Sequence, residues 1–547
     1  MSTTPRRATP TPSHGSTPLP RPPDDPGQAV PGLSPRALAL ALTALAAALR
    51  LSGLGRQSFW YDEAVSVALA RHPIADLLTG RIKDQGNPPL YPALLHLWMR
   101  LFGSGDGTVR ALGALFGAAT VPVMLVVARK LVADRVAFLA ATLLALSPFH
   151  LQMAQEARGY CLLGFFSAVA AWGLLRATER AVCDADAALV RWGPWAVVSL
   201  ATAAMCWTHY FGFAVALAQA LYIGVVHRRA RPILLRAAAA YATAALLFAP
   251  WLPAMAAQLQ LPGNLARSPD SWALHLLATP LVFTVGTALF WKDAAADGVD
   301  LTVVLRGLLA AVGTLAGLVA AGLGLVRTWQ RTWPVRNRGV LLLLAWLVIP
   351  IALPALISLL ASPLYNSRYA LAASLPYLVL LAAGLYELGE RPRLLTGGLL
   401  ILAMAAATFS TLSWFGRGRP LKHQWRETAA FVEAVRRPDD LILFDSDHNE
   451  TAYAHYASDP GAAERRVRLL PPPAGTPADR LIGARHEGSP AEDVSDLVNA
   501  KEGVWLILSD ATPAAEARVR GFFASWRAGP ATHLRGIAVQ RFERRAP

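Results

Sequence analysis

Between residues 35 and 414 the chain repeats one pattern, an apolar segment of helical length followed by a short polar stretch that is often rich in arginine. A bilayer crossing takes about 20 apolar residues. Lipid offers no partner to backbone N–H and C=O groups, so segments of this kind cross it as helices. The pattern therefore predicts a mainly α fold, a polytopic bundle of membrane helices. Composition agrees: 54% of the 547 residues are hydrophobic and 16% charged, against about 25% charged in soluble domains, and mean hydropathy is +0.37.

The net charge of +15 raises nucleic-acid binding as an alternative. The basic residues, however, form short clusters between apolar segments rather than a stripe with interleaved aromatics, which is the pattern of cytoplasmic membrane loops. Nucleic acid is therefore not an expected partner. Cys161, Cys183 and Cys206 have no ligand spacing, so neither a disulfide framework nor a zinc site is expected. Residues 1–33, rich in Pro, Ser and Thr, read as a disordered tail. No apolar stretch follows a short charged start, so the tail is not a cleavable signal, and the first helix, 35–54, is read as an uncleaved anchor.

Eleven spans are expected, at 35–54, 110–128, 136–151, 160–175, 193–208, 211–226, 234–256, 303–326, 339–361, 369–387 and 394–414. Pro88–Gly103 is left out because it is short, opens on two prolines and carries His96 and Arg100; it reads as a helix lying in the interface. Charge tests that choice. Without this segment as a span, Arg129–Arg135, Arg176–Arg191, Arg228–Arg231 and Arg327–Arg338 all fall on one side, which the positive-inside rule makes cytoplasmic. The N-terminus is then cytoplasmic and the C-terminus outside the cell membrane. Within the outer loop 257–300, the apolar stretch 272–291 reads as a second interfacial helix or a re-entrant one. The expected domains are the tail 1–33, a membrane domain 34–414 with a first outer loop 53–109, and 415–547. That last region alternates short strand-like runs (Leu441–Phe444, Val504–Ser509, Ile537–Phe542) with helical stretches, giving a small α/β accessory domain on the outer face.

With orientation set by basic charge alone, four polar motifs converge on the outer leaflet: Trp60–Glu63, Gln155–Tyr160, His209–Tyr210 and Tyr365–Tyr369. The helix interiors are nearly free of charge and no internal repeat is visible. A transporter would carry ionisable or broken-helix sites near the bilayer midplane. Chemistry gathered at the outer interface suits an enzyme acting on a lipid headgroup. The adjacent carboxylates Asp62 and Glu63 are costly at the mouth of a membrane helix unless water reaches them and something uses them. They could also do no more than cap a helix. Transfer of a sugar from a lipid-linked phosphosugar needs one carboxylate base for the acceptor hydroxyl and cations for the departing phosphate, where arginine binds bidentately. Arg158 and Arg368 stand in weakly charged outer loops, and Lys83 and Arg81 lie in the first loop.

WYDEA, NPPLYPALLHLWMRLFG, VRALGALFGAATVPV, ALSPFHLQMAQEARGY and THYFGF, over about residues 50–215, resemble bacterial membrane glycosyltransferases similar to dolichyl-phosphate-mannose protein mannosyltransferases and aminoarabinose transferases. NSRYALAASLP, near 366–376, continues the resemblance. It implies a GT-C fold, a polyprenyl-phosphate-sugar donor, a hydroxyl acceptor on protein, lipid or glycan, and inverting transfer of mannose or a related sugar with no required cofactor, a divalent metal being possible. By this resemblance Asp62 matches the first-loop catalytic aspartate and Glu63 its neighbour. Glu156 and Arg158 match the second-loop acidic/basic motif, and Arg368 a phosphate-contacting region. Tyr91, Tyr160, His209 and Tyr369 join them as donor contacts. Many relatives have His or Lys where this chain has Asn87, which brings no charge and shifts the phosphate role toward Arg158, Arg368 or Lys83. A lipid-linked sugar translocase and an oligosaccharide polymerase or ligase are the alternatives.

Overall fold

A computed structural model describes residues 34–84, 86–180, 188–260, 271–287, 301–332, 337–389, 394–416, 422–445, 447–458, 465–470, 477, 480–484, 491–509 and 513–545. Helix α1 (Pro35–Leu51) starts on a Ser34 cap whose side chain accepts from Ala37 N, with Pro35 at the first helical position. The first loop holds α2 (Tyr61–Ala70), α3 (Ile74–Leu78) and α4 (Leu90–Phe102). The bundle continues with α5 (Asp106–Leu131), α6 (Asp134–Leu146), α7 (Pro148–Ala154), α8 (Tyr160–Arg180), α9 (Ala188–Thr208), α10 (Phe211–Val226), α11 (Arg231–Phe248), α12 (Leu252–Leu259) and α13 (Ser271–Val285). It closes with α14 (Leu301–Thr332), α15 (Asn337–Leu360), α16 (Leu371–Gly389) and α17 (Leu394–Phe415).

Each expected span falls on helix, 136–151 on two helices, but the count of eleven crossings is not confirmed. Among the described residues six helices are long and apolar enough to cross a membrane, or seven if α6 and α7, bent by 51° at their junction, form one broken span. The bend follows from sequence: Ser147 caps α7 by accepting from His150 N, and Pro148 cannot continue α6. Helices α1 and α10, with 17 and 16 residues, lie at the lower edge of the length a crossing takes. Pro88–Gly103 is no span: α4 has 13 residues. It packs Tyr91, Pro92, Ala93 and Leu95 inward and leaves Leu97, Leu101 and Phe102 exposed. The stretch 272–285 is a short helix against α14, α17 and α7; 288–291 lies outside the described residues.

The buried core runs through α5, α6, α8 and α16, where α16 is packed nearly all round. The two ends of the bundle differ chemically. At one end Lys130, closing α5, meets Glu179 of α8 at 2.6 Å, and Arg129 pairs with Asp134 at the start of α6 at 2.6 Å. The other end carries the first loop and the polar motifs. Arg50, fully buried at the end of α1, donates to Leu144 O and Ala145 O at 2.9 and 3.0 Å. This cation meets the open carbonyls that end α6, where the helix dipole is negative.

Beyond α17 the chain forms α18 (Trp425–Val435), β1 (Leu441–Phe444), α19 (Asp447–Tyr456), β2 (Arg466–Leu469), β3 (Ile482–Ala484), β4 (Glu492–Asp493), α20 (Ser495–Asn499), β5 (Gly503–Leu508), α21 (Pro513–Phe522), β6 (Arg527–Ala528), β7 (Thr532–Leu534) and β8 (Ile537–Glu543). The mixed sheet runs β4-β3-β2-β1-β5-β8-β6, with β7 also on β8; β1 is parallel to β2 and β5, and the remaining pairs are antiparallel. β1 and β5 are buried on both faces, which explains their unbroken apolar runs. One face joins α18 and α19 to Ala64 of α2, so this α/β region sits on the first loop.

Candidate active site

The site is built around the start of α2. Trp60 is its N-cap in extended conformation, and Glu63, at the third helical position, reaches back to accept from Trp60 N at 3.4 Å. Successive helical residues point about 100° apart, so Asp62 and Glu63 cannot share an environment. Glu63 has 0% exposure. Its Oε1 accepts from Arg110 Nε at 2.7 Å and Ala157 N at 3.0 Å; its Oε2 accepts from Arg110 NH2 at 2.7 Å and Lys422 Nζ at 2.9 Å. Burial by itself would push this carboxyl up. The charges and hydrogen bonds of Arg110 and Lys422 outweigh it and hold the carboxyl down at about 2. Asp62 is half-buried, and among the described residues no hydrogen bond or ion pair reaches its carboxylate.

Two arginines frame that carboxylate. Arg158 donates to Asp62 O and Ser66 Oγ at 3.4 Å and pairs with Asp84 at 3.3 Å. Arg368 lies over the Trp60 ring at 4.7 Å. An Asx turn sets its backbone, with Arg368 N donating to Asn366 Oδ1 at 3.0 Å. Burial works against the charged form of both guanidiniums, but Asp62 favours it in each, together with Asp84 beside Arg158 and with Tyr160 and Glu156 beside Arg368. Glu156 is buried; its Oε2 has no hydrogen-bond partner among the described residues, and burial pushes its carboxyl up.

Beside Arg158 a pocket opens between the first loop and α9, lined by Ser66, Asp84, Asn87, Tyr91, Arg158, Tyr160, Thr208 and His209 among others. Asn87 Nδ2 donates to Asp84 Oδ2 at 3.0 Å, and Gln258 of α12 donates to the carbonyls of Asp84 and Asn87, tying down the loop. The hydroxyls of Tyr91 and Tyr160 are buried without partners among the described residues. Tyr369 packs on His209 at 4.7 Å and on Tyr160 at 5.9 Å. Gly159 lets Thr208 and Tyr91 close in on the pocket: a Cβ there would stand 2.9 Å from Thr208 Cγ2 and 3.4 Å from Tyr91 Cβ.

The structure thus brings together Asp62, Glu156, Arg158, Arg368, Asn87, Tyr91, Tyr160, His209 and Tyr369. Lys83 does not line the pocket and makes no hydrogen bond or ion pair among the described residues. Arg81 is exposed and paired with Asp76. Gln155 is structural: its amide donates to the carbonyls of Arg50 and Ser52 at the end of α1, and it accepts from Trp414 Nε1 at 2.6 Å. Sequence reasoning missed Trp60 as a platform for Arg368, Asp84 as the partner of Arg158, and Arg110 and Lys422 as the partners of Glu63. An arginine at the very start of an apolar span was the available signal for Arg110. Lys422 had none.

The helical bundle with its appended sheet region is a fold of the GT-C kind, shared with solved membrane glycosyltransferases. ArnT from Cupriavidus metallidurans bound to undecaprenyl phosphate superposes with TM-score 0.57 at 14% identity, over 93% of this chain and 98% of that one. Archaeoglobus fulgidus oligosaccharyltransferase in complex with Zn and sulfate gives TM-score 0.50 at 14% identity, over 86% of this chain and 67% of that one; in its apo form only 63% of it is covered. Residues 86–256 match the family model described as dolichyl-phosphate-mannose-protein mannosyltransferase. No curated protein sequence matches.

Proposed function

We propose that this chain is a membrane glycosyltransferase that moves a sugar, mannose or a related one, from a polyprenyl-phosphate-linked donor to a hydroxyl on a protein, lipid or cell-wall glycan. The observation that carries this reading is the division of labour in one helical turn. Glu63 is saturated by four groups, while Asp62 keeps an unengaged carboxylate between two arginines. The fold shared with ArnT bound to undecaprenyl phosphate and the family match over 86–256 support a lipid-linked donor.

In the proposed step Asp62 takes the proton of the acceptor hydroxyl. The acceptor oxygen forms a bond to the anomeric carbon as the bond from that carbon to the phosphate oxygen breaks. The phosphate leaves with the electron pair and needs no protonation, so one base suffices and the configuration inverts. Arg368 and Arg158 bind the phosphate. Asn87, Tyr91, Tyr160 and His209 line the sugar pocket, Tyr369 walls it, and Glu156 faces a sugar hydroxyl. Glu63 is assigned a positioning role in place of a catalytic one. Lys83 is left as a loop cation outside the pocket. The basic clusters lie at the end of the bundle away from this site, which supports an outer-face reaction at the cell membrane with the α/β region also outside.

The test is Asp62→Asn in full-length protein supplied with lipid-linked sugar extracted from a deletion strain. Transfer should fall to a few per cent or less. Full transfer by the variant would remove the base assignment, and movement of the lipid across the bilayer without transfer would favour a translocase.

A further inference from the structure

The charge cluster beneath Asp62 draws on four parts of the chain. Glu63 comes from α2, Arg110 from α5, Ala157 from the loop that carries Arg158, and Lys422 from the segment leading into the α/β region. Lys422 is 2% exposed. Burial works against its charged form, and Glu63 supports it.

Lys422 does not stand alone at this seam. Its backbone N donates to Gln57 Oε1 at 3.1 Å. Arg426 donates to Gly55 O at 3.1 Å and pairs with Asp106. Ser58 Oγ donates to Glu427 at 2.9 Å, and Phe59 N donates to the Tyr456 hydroxyl, which in turn donates to Asp106 at 2.7 Å. Residues 55–60, which lead directly into Asp62, are therefore clasped between α5 and the α/β region. Of all these contacts, the Lys422 ammonium alone reaches the residue adjacent to Asp62.

Glu63 does not depend on Lys422 for its pairing. Arg110 already engages both carboxylate oxygens, and two backbone amides complete the set. A buried carboxylate with a bidentate arginine is a satisfied unit. The lysine adds a link to a second folding unit, and it places the cluster's extra positive charge one residue from Asp62.

We propose that Lys422 is a positioning residue of the transfer site: its bond to Glu63 makes the orientation of Asp62 depend on docking of the α/β region onto the first loop. This inference rests on the function proposed above for Asp62. The α/β region is then part of the working site rather than an accessory to it.

The experiment compares full-length wild type, Lys422→Met and Lys422→Arg. One readout is turnover with the extracted lipid-linked sugar. Another is the rate at which a water-soluble carbodiimide with glycine ethyl ester modifies Asp62 and Glu63, followed by mass spectrometry. The others are undecaprenyl phosphate binding and thermal unfolding. For Lys422→Met the expected result is turnover lowered about tenfold or more, an Asp62 modification rate changed severalfold, Glu63 still unmodified, and lipid binding within about twofold of wild type. Lys422→Arg should recover most of the turnover. The proposal is overturned if Lys422→Met leaves the Asp62 modification rate and turnover at wild-type values. It is also overturned if Glu63 becomes reactive and lipid binding and thermal stability fall together, since Lys422 would then be holding the fold only. The modification readout needs no turnover, so it judges Lys422 even if Asp62→Asn proves fully active and the proposed base is wrong.

Discussion

Arg110 grips Glu63 through two parallel bonds, Nε to Oε1 and NH2 to Oε2, each 2.7 Å long, with both side chains at 2% exposure or less. The remaining guanidinium hydrogens go to the carbonyls of Leu54, Gln57 and Ser58. One arginine on a bundle helix thereby holds the whole entry to α2. Removing one partner of a buried pair strands the other charge, at a cost of about 3–5 kcal/mol. Arg110→Ala should therefore lower the thermal unfolding temperature far more than Arg81→Ala, whose pair is exposed and contributes about 0–1 kcal/mol. Thermal unfolding in detergent checks both.

The Glu63 carboxyl lies at about 2 in the folded protein against an ordinary 4.5. A carboxyl depressed on folding stabilises the fold above its unfolded value. That contribution, on the order of 3 kcal/mol, drains away as the pH falls from about 4.5 toward 2. Glu63→Gln should remove this portion of the acid dependence, leaving a less stable protein whose unfolding changes less between pH 5 and pH 3. A wild-type slope in the variant would place the acid sensitivity elsewhere.

Arg368 is held by Trp60 under its guanidinium and by the Asn366 turn at its backbone, and the proposed function gives it the donor phosphate. A hydrogen bond to a charged group contributes about 1.5–3 kcal/mol. Arg368→Ala should thus weaken undecaprenyl phosphate binding about 10- to 100-fold. Arg368→Lys should recover only part of it, because an ammonium lacks the planar fork and stacks less well. Direct binding measurements at two salt concentrations separate the charge from the fork.

Gly159 admits the approach of Thr208 and Tyr91 around the pocket. Gly159→Ala forces the wall to shift, which typically costs about 1–3 kcal/mol. Turnover and the apparent donor affinity should both worsen. Gly86→Ala is the control: a Cβ there meets nothing within 4 Å, and the variant should behave as wild type.

Hydropathy and basic clusters located the helices and the polar end, because both are local properties of the chain. The α4 segment was legible as a non-span through its length and two leading prolines. The number of crossings was not, since helices such as α1 and α10, with 17 and 16 residues, sit at the lower edge of the length a crossing takes. The sequence offered Asp62 and Glu63 as one pair. Separating them required the helix phase at Tyr61 and partners 47 and 359 residues away, which no local pattern encodes. For the same reason the docking of the α/β region was not legible: its strands follow from short apolar runs, but its grip on residues 55–60 lies in single side chains such as Lys422, Arg426 and Tyr456.

The 359 residues that separate Glu63 from Lys422 also set a timetable. At about 5–20 residues per second, Glu63 is added to the chain some 20–70 s before its lysine. Arg110 follows it by only 47 residues, within about 2–10 s. The nascent first loop can therefore neutralise its buried acid early, against the arginine. It acquires its last contact only when synthesis has passed the whole bundle, so the two halves of this cluster first meet after every helix between them has been made.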